Sequence, residues 1–197
     1  NIIDADYIAF GAHKMFGPTG IGALYTKRPP EDYPCVRHGG GTVLAYDFDG
    51  TVEYNTGPSK HEAGTPNIAG ILGFGIAAEW INYIGYPAIQ TELERVHKSL
   101  ADQGLFEIDG LELLYPSENY KVRNVFSFRC TKHHPSDISD WLGMDNVAVR
   151  VGKVCSHPIV NKNSDNGILR VSSHIYNTDE DCKKLVDSIC KAMNKLG

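Results

Sequence analysis

The sequence has no long apolar run, no paired cysteine motif and no excess of basic residues. None of its apolar stretches approaches the roughly 20 residues that a helix needs to cross a bilayer. Its first residues carry neither the basic flank nor the apolar stretch of a signal peptide. The formal net charge is -5, with lysine and arginine scattered along the chain. We therefore expect neither a membrane nor a nucleic acid among its partners.

The cysteines do not form the pattern of a disulfide framework. There are five of them, an odd number without a C-x-x-C pair: Cys35, Cys130, Cys155, Cys182 and Cys190. This pattern favours a reduced intracellular compartment, and we expect a cytoplasmic protein. No metal site is predicted, because His133 and His134 have no close cysteine partner at ligand spacing.

Strand and helix patterns alternate along the chain, which predicts an α/β or α+β fold. Apolar and β-branched runs predict six strands, the first of them buried: residues 7–10, 22–25, 111–115, 125–130, 147–151 and 168–172. Helical spacing of apolar residues predicts four helices: from 68 to a stop at Gly85, about 87–104, 135–142, and a closing helix with Thr178 as its N-cap. Residues 28–64 are mostly polar and are predicted to be a long loop.

Lys14 lies in a loop, residues 11–20, that is too glycine-rich to be helical and that follows the first predicted strand. A lysine on a tight turn after a buried strand is expected to be rigid and partly desolvated. Desolvation favours the neutral amine that Schiff-base chemistry requires. Taken alone, these features also fit an ordinary surface lysine. A phosphate-binding P-loop is excluded, because the sequence G-K-[ST] is absent.

The whole string around Lys14 is more specific. Residues 10–22, F-G-A-H-K-M-F-G-P-T-G-I-G, resemble the cofactor-lysine segment of the class V aminotransferase family of pyridoxal-phosphate (PLP) enzymes. They are most similar to cysteine desulfurases and selenocysteine lyases of the SufS type. Four more segments match family-like positions: G-G-G at 39–41, E-A-G-T-P-N at 62–67, V-A-V-R-V-G at 147–152 and L-R-V-S-S-H-I-Y-N-T at 169–178. The resemblance covers essentially the whole chain.

The resemblance implies part of the α/β PLP-dependent transferase type I fold. Residues 1–85 would be the C-terminal part of the PLP-binding large domain, and residues 86–197 a small C-terminal α/β domain. The boundary falls near Gly85. We do not expect the segment that precedes it to form a core alone. The complete enzyme is expected to be a homodimer, in which residues 39–67 resemble the segment that completes the neighbouring active site.

The resemblance also implies the cofactor site. Lys14 matches the lysine that binds PLP covalently and then moves the substrate Cα proton. His13 matches a contact to the PLP phosphate from the same subunit, and Thr65 matches a contact to the phosphate of the neighbouring subunit. The implied cofactor is therefore pyridoxal 5'-phosphate.

The implied substrate is L-cysteine, and its site would contain two arginines and one thiol. Arg170 matches the arginine that binds the substrate α-carboxylate, with Arg150 supporting the same region. Cys155 matches the catalytic cysteine that carries sulfur as a persulfide. We expect Lys153 to favour its thiolate. Cys130 and the two cysteines of the closing helix are expected to be packing positions.

The sequence departs from the family pattern in three ways. Gly11 stands where a serine is usual, and Lys153-Val154 replace two histidines. The family aspartate that pairs with the PLP ring nitrogen lies upstream of the lysine, and Asp4 and Asp6 are too close to Lys14 to match it. We therefore expect activity only with a complementary N-terminal half.

Three alternatives to a cysteine desulfurase remain open from the sequence: a selenocysteine lyase, a class V aminotransferase, or a partner-dependent half without catalysis. A desulfurase would pass its sulfur to an acceptor protein, which we expect to act in iron–sulfur cluster assembly. The sequence does not choose between these functions, because a motif fixes the chemistry only where the site is complete.

Overall fold

A computed structural model describes residues 4–115 and 124–197. The chain divides into two compact units, Asn1–Ile84 and Gly85–Gly197. Within the described ranges, no single helix is long and apolar enough to cross a membrane; only the consecutive helices Ile68–Ile84 and Tyr86–Asp102, taken together, meet that test by length and composition.

The first unit begins with a β-hairpin. Strand β1 (Tyr7–Gly11) pairs antiparallel with β2 (Gly22–Thr26), in the register Tyr7 opposite Thr26 and Gly11 opposite Gly22. Both predicted strands are confirmed, but the prediction that β1 is buried is wrong, because its residues are exposed or half-buried. The loop between the strands contains a short 3₁₀ turn, Ala12–Lys14, where no helical turn was predicted.

A second hairpin lies inside the predicted long loop. Strand β3 (Val43–Tyr46) pairs antiparallel with β4 (Val52–Tyr54). Gly50, at φ 90°, makes the turn possible, and its N–H donates to the Asp47 carbonyl over 3.0 Å. The loop prediction is therefore wrong here. The sequence carries a signal for this hairpin, because an Asp-Gly turn between two short strands is typical of one. Two 3₁₀ turns flank this hairpin, Pro30–Asp32 and Gly57–Lys60.

Helix α1 (Ile68–Ile84) closes the first unit and confirms the predicted helix. Asn67 precedes it, and its side-chain oxygen accepts a hydrogen bond from the Gly70 N–H over 3.0 Å. The helix also touches the loop after Lys14, because a Cβ on Gly73 would lie 3.1 Å from Pro18. Among residues 4–84, only four are buried: Ala12, Thr42, Gly70 and Ala77.

The second unit is an antiparallel four-stranded sheet covered by helices, with the strand order β5-β6-β8-β7. Its strands are β5 (Leu111–Leu113), β6 (Val125–Cys130), β7 (Arg150–Gly152) and β8 (Ile168–Ser172). Its helices are α2 (Tyr86–Asp102), α3 (Pro135–Met144), α4 (His157–Asn163) and α5 (Asp179–Leu196). A short 3₁₀ turn, Leu105–Glu107, follows α2.

Two predictions need correction in this unit. The strand predicted at 147–151 pairs only from Arg150, because the Val147 N–H still bonds to Leu142 at the end of α3, over 2.9 Å. Helix α4 was not predicted; it begins after Ser156 with a proline in its first turn. Prolines are well tolerated at that position, since its N–H has no partner within the helix.

The hydrophobic core lies between the sheet and α2, α3 and α5. Phe126 and Phe128 of β6 are fully buried with Leu169 of β8, and Ile189 of α5 packs in the same cluster. Burial of each such side chain contributes roughly 1.5–3 kcal/mol to the stability of the folded unit. Helix α5 begins as predicted at the N-cap Thr178, whose hydroxyl accepts from the Asp181 N–H over 3.1 Å.

Candidate active site residues in the two units

The turn that carries Lys14 is shaped by one buried alanine. The Ala12 N–H donates to Ile21 over 3.1 Å, and the Ala12 carbonyl accepts from the N–H groups of Met15 and Gly17. A Cβ on Gly17 would lie 2.7 Å from the Ala12 Cβ, so only glycine fits there. The backbone beside Lys14 is therefore held by local hydrogen bonds, in agreement with the rigid turn that we predicted.

The Lys14 side chain itself is exposed. The predicted desolvation is thus wrong for this chain, because the lysine remains exposed among the residues that the structure describes. In the two described ranges, nothing forms a hydrogen bond or an ion pair with the Lys14 amine. Asp4 is not its partner, since the Asp4 carboxylate pairs with Lys27 Nζ at 2.6 Å. The amine is thus exposed and has no polar partner among the described residues.

His13 precedes Lys14 and lies beside Gly11. A Cβ on Gly11 would lie 3.2 Å from His13 Nδ1, closer than an ordinary contact. A serine at this position would require the imidazole to shift by a few tenths of an ångström. His13 is exposed.

Thr65 follows a turn that is anchored to the glycine triplet. Gly64, at φ 90°, donates its N–H to the Gly40 carbonyl over 2.7 Å. Thr65 is exposed, and no hydrogen bond of the described structure joins it to His13 or Lys14. The role predicted for Thr65, a contact to the phosphate of the neighbouring subunit, stays a prediction.

Arg150 and Arg170 face each other across adjacent strands of the second unit. They are register partners of β7 and β8, and Ser127 of β6 is the partner of Arg170 on its other side. Like charges placed directly opposite destabilise a sheet. None of the described carboxylates forms a salt bridge with either arginine, and the buried Arg170 Nε has no hydrogen-bond partner there. Such a pair is suited to binding an anion such as a carboxylate.

Ser127 is a residue of this site that the sequence analysis missed. It is half-buried and lies opposite Arg170. Its strand was predicted correctly, but the pairing of β6 with β8 brings together residues far apart in the sequence. The alternation of β6 was the available signal, since it separates Ser127 from the buried Phe126 and Phe128.

Cys155 lies in the loop directly after β7, and its thiol is exposed. The loop has an unusual backbone: Gly152, Val154 and Cys155 have φ values of 93°, 44° and 59°. Lys153 forms no ion pair with a carboxylate of the described residues. Its ammonium donates to the backbone carbonyls of Asp165 at 2.9 Å and Ser164 at 3.4 Å.

The other cysteines differ in exposure. Burial raises the pKa of Cys130 to about 11, and it also raises the pKa of Cys182, so both agree with packing positions. The same prediction is wrong for Cys190, which is exposed on the outer face of α5. Cys35 is half-buried and donates to the Arg37 carbonyl over 3.3 Å. Cys155 and Cys190 are thus the two exposed cysteines of the described chain.

The predicted residues fall into two groups, one in each unit. His13, Lys14 and Thr65 belong to the first unit, while Arg150, Cys155 and Arg170 belong to the second. In the first group, the 3₁₀ turn joins His13 to Lys14. In the second group, β7 carries Arg150 into the arginine pair and then leads into the Cys155 loop.

This fold matches solved structures of PLP-dependent enzymes. A crystal structure of the cysteine desulfurase CsdA from Escherichia coli superposes with a TM-score of 0.83 at 30% identity, covering 98% of this chain and 47% of that one. The cysteine desulfurase of Thermococcus onnurineus gives 0.84 at 31% identity, with 97% and 48% covered. The chain thus has part of the α/β PLP-dependent transferase type I fold, as predicted.

Sequence comparison gives the family. The Aminotransferase class-V family model matches residues 1–185. A probable cysteine desulfurase of Xylella fastidiosa is 35% identical over 196 residues, which are 99% of this chain and 46% of the relative. A cysteine desulfurase of Haloferax volcanii is 36% identical over 188 residues. The chain belongs to the class V aminotransferase family, and it spans about half the length of the curated relatives that it matches.

Proposed function

We propose that this chain is the C-terminal half of a PLP-dependent cysteine desulfurase, which converts L-cysteine to L-alanine and carries the released sulfur on Cys155. The observation that supports this most is the position of Cys155. An exposed thiol follows the strand whose Arg150 pairs with Arg170. The arginine pair suited to a carboxylate therefore lies at the start of this short strand, and its end leads directly into the sulfur nucleophile.

The residues of the first unit fit the implied cofactor. Lys14 offers an exposed amine for the PLP carbonyl, while His13 and Thr65 offer an imidazole and a hydroxyl for its phosphate. When bound, PLP supplies an electron sink for the substrate carbon atoms. The acidic partner of the PLP ring would come from the complementary N-terminal half, because Asp4 is already paired with Lys27.

The residues of this chain would then act in order on L-cysteine. Arg170, with Arg150, holds the α-carboxylate through parallel N–H donors. The Lys14 amine moves the Cα proton. The Cys155 thiolate attacks the substrate sulfur, so that an S–S bond forms, the substrate C–S bond breaks, and its electron pair remains with the carbon. Protonation of that carbon gives L-alanine, and Cys155 holds the sulfur as a persulfide.

The proposal extends to the assembled enzyme. We propose a homodimer of the complete protein, located in the cytoplasm, with Thr65 reaching the phosphate of the neighbouring subunit. The persulfide would pass to a sulfur-acceptor protein, and the sulfur would serve iron–sulfur cluster assembly. The family membership supports this proposal, and so does the exposure of Cys155, since an acceptor must reach the sulfur.

The test compares the two exposed cysteines. Assemble the chain with its complementary half, add PLP and L-cysteine, and measure alanine and the trapped persulfide in C155S and C190S. We expect C155S to lose at least about a hundredfold in alanine formation, because serine cannot form a persulfide. C190S should remain within about twofold, since surface substitutions away from a site have small effects.

Three outcomes would contradict the proposal in different ways. Undiminished desulfuration by C155S would favour a selenocysteine lyase or an aminotransferase without a cysteine nucleophile. After borohydride reduction, a pyridoxyl group on a lysine other than Lys14 would overturn the cofactor site. An assembled complex that binds PLP but forms no alanine would leave the partner-dependent, non-catalytic half.

A further inference from the structure

The segment between β7 and β8 is closed on itself by a lysine. Lys153 is half-buried, and its ammonium donates to the carbonyls of Ser164 and Asp165, at 3.4 Å and 2.9 Å. These carbonyls follow the last residue of α4, where helices leave carbonyl groups without partners within the helix. One side chain thus connects the beginning of the segment, next to Cys155, with its end.

The backbone that this lysine secures is strained. Val154 has a φ of 44° and Cys155 a φ of 59°. A positive φ is a true outlier for a β-branched residue such as valine. Strain of this kind persists only where the surrounding structure fixes the conformation, and it is concentrated at functional sites. The thiol of Cys155 is therefore presented by a backbone that would relax if it were released.

Further contacts close the same segment. The Ser164 hydroxyl donates to the Gly167 carbonyl over 2.6 Å. A Cβ on Gly167 would lie 2.7 Å from the Cα of Gly152, so the two ends of the segment touch through bare backbone. These contacts hold the ends together, whereas the Lys153 side chain ties the start of the strained Val154–Cys155 backbone to the residues that follow α4.

We infer that Lys153 is a positioning residue: it clamps the strained Cys155 loop to the end of α4 and so fixes where the thiol lies, rather than acting as a cation on the thiolate. Its three N–H donors suit two carbonyl acceptors. This changes the role that the sequence suggested for Lys153. The inference rests on the proposed function only in that Cys155 is the reacting group.

The test uses the assembled enzyme and three variants. K153M removes the donors and keeps the length of the side chain, whereas K153R retains donors and charge. K162M is the matched control, because Lys162 is exposed on α4 and has no hydrogen bond with the residues that the structure describes. Three quantities are measured: hydrogen exchange of residues 153–156 without substrate, kcat and KM for cysteine, and the pH profile of Cys155 alkylation by iodoacetamide.

If Lys153 acts as a clamp, its loss should change loop exchange and kcat but leave KM and the alkylation midpoint nearly unchanged. In K153M, exchange in the loop should accelerate about tenfold or more, the size expected when charge-assisted hydrogen bonds are lost. The kcat should fall by about the same factor while KM stays within about twofold, because the arginine pair is intact. The midpoint of the alkylation profile should not move. K153R should recover most of the exchange protection, and K162M should resemble the unmodified enzyme.

A second variant tests the strain directly. Glycine accepts a positive φ without penalty, so K153M should accelerate exchange less in a V154G background than in the unmodified one. Unchanged exchange in K153M would overturn the inference, as would a shifted alkylation midpoint that K153R restores. The exchange measurement needs no turnover. If C155S proves fully active while exchange behaves as described, the proposed function fails and the clamp stands.

Discussion

The two units of this chain differ in how many of their apolar side chains they bury. In the second unit, fifteen residues form one buried hydrophobic cluster around Phe126 and Phe128. In the described part of the first unit, four residues are buried, and two of its tyrosines, Tyr7 and Tyr46, are 57% and 69% exposed. One unit therefore has a core of its own, and the other leaves large apolar side chains exposed.

Helices α1 and α5 show the same difference in their patterns. Helix α5 is amphipathic, with Val186 and Ile189 buried and charged residues facing outward. Helix α1 is apolar almost all around, yet Ile76 is 67% exposed and Leu72 is 63% exposed. A helix that is hydrophobic on every side is normally buried. This comparison supports the proposal that a complementary half covers the first unit.

The largest expected effect comes from separating the units. Residues 85–197 alone should unfold cooperatively, with a free energy of unfolding of about 5–15 kcal/mol, the usual range for a small domain. Residues 1–84 alone should show no cooperative transition, because they bury too little apolar surface to offset the loss of chain entropy. Thermal unfolding followed by near-ultraviolet circular dichroism measures both. A cooperative transition of the first unit alone would contradict the comparison.

A matched pair of substitutions, one in each unit, sharpens the comparison of their cores. F128A should destabilise the 197-residue chain by about 3–5 kcal/mol, because Phe128 is fully buried and the variant leaves a cavity. I76A should change stability by less than about 0.5 kcal/mol, because the side chain is mostly exposed. Urea unfolding monitored by far-ultraviolet circular dichroism distinguishes them. A large effect of I76A without any partner would show that α1 already packs in the isolated chain.

The second unit could be predicted from the sequence more closely than the first. The strands 125–130 and 168–172 have the predicted bounds, because alternating apolar residues on a sheet with a covered face leave a clear pattern. The β3–β4 hairpin was missed, because its strands are short and carry few buried residues. The exposure of β1 could not be predicted from its own pattern, since burial depends on what surrounds a strand.

The candidate site shows the same limit. The Lys14 turn is local, so the turn itself could be predicted from glycine positions and its chemistry from the family string, but its 3₁₀ form was missed. The pairing of Arg150 with Arg170 could not, because it depends on the register of β7 against β8. The contacts of Lys153 with Ser164 and Asp165 also require the fold, since α4 separates them in sequence.

A smaller effect is expected at the start of α5, which belongs to the self-contained unit. T178A should destabilise the chain by about 1 kcal/mol, because it removes the acceptor of the Asp181 N–H. T178S should restore most of that loss, since its hydroxyl can accept the same hydrogen bond. Urea unfolding of the second unit's transition measures both variants. Equal losses in T178A and T178S would mean that the cap contributes nothing and that the methyl group matters instead.

The smallest effect is the pH dependence of the same cap. The pKa of Asp181 is lowered from its ordinary value of 3.8, first because its carboxylate accepts the Thr178 N–H, at 2.9 Å. A depressed pKa in the folded state means that the unfolded chain binds the proton more readily. The contribution of this carboxylate is therefore fully present above the unfolded value, and it is lost as the pH falls through the folded one.

The stabilities of D181N and of the unmodified chain are expected to converge at acid pH. D181N should be less stable than the unmodified chain at neutral pH, and the difference should shrink as the pH drops below about 4, the ordinary range for aspartate. D187N is the control, because Asp187 is exposed on the same helix and accepts no hydrogen bond from the described residues. It removes an equal charge but no cap. Urea midpoints measured at a series of pH values give both differences. If the two variants lose stability equally at every pH, the capping hydrogen bond contributes nothing beyond its charge, and the cap does not help to make the second unit the self-sufficient one.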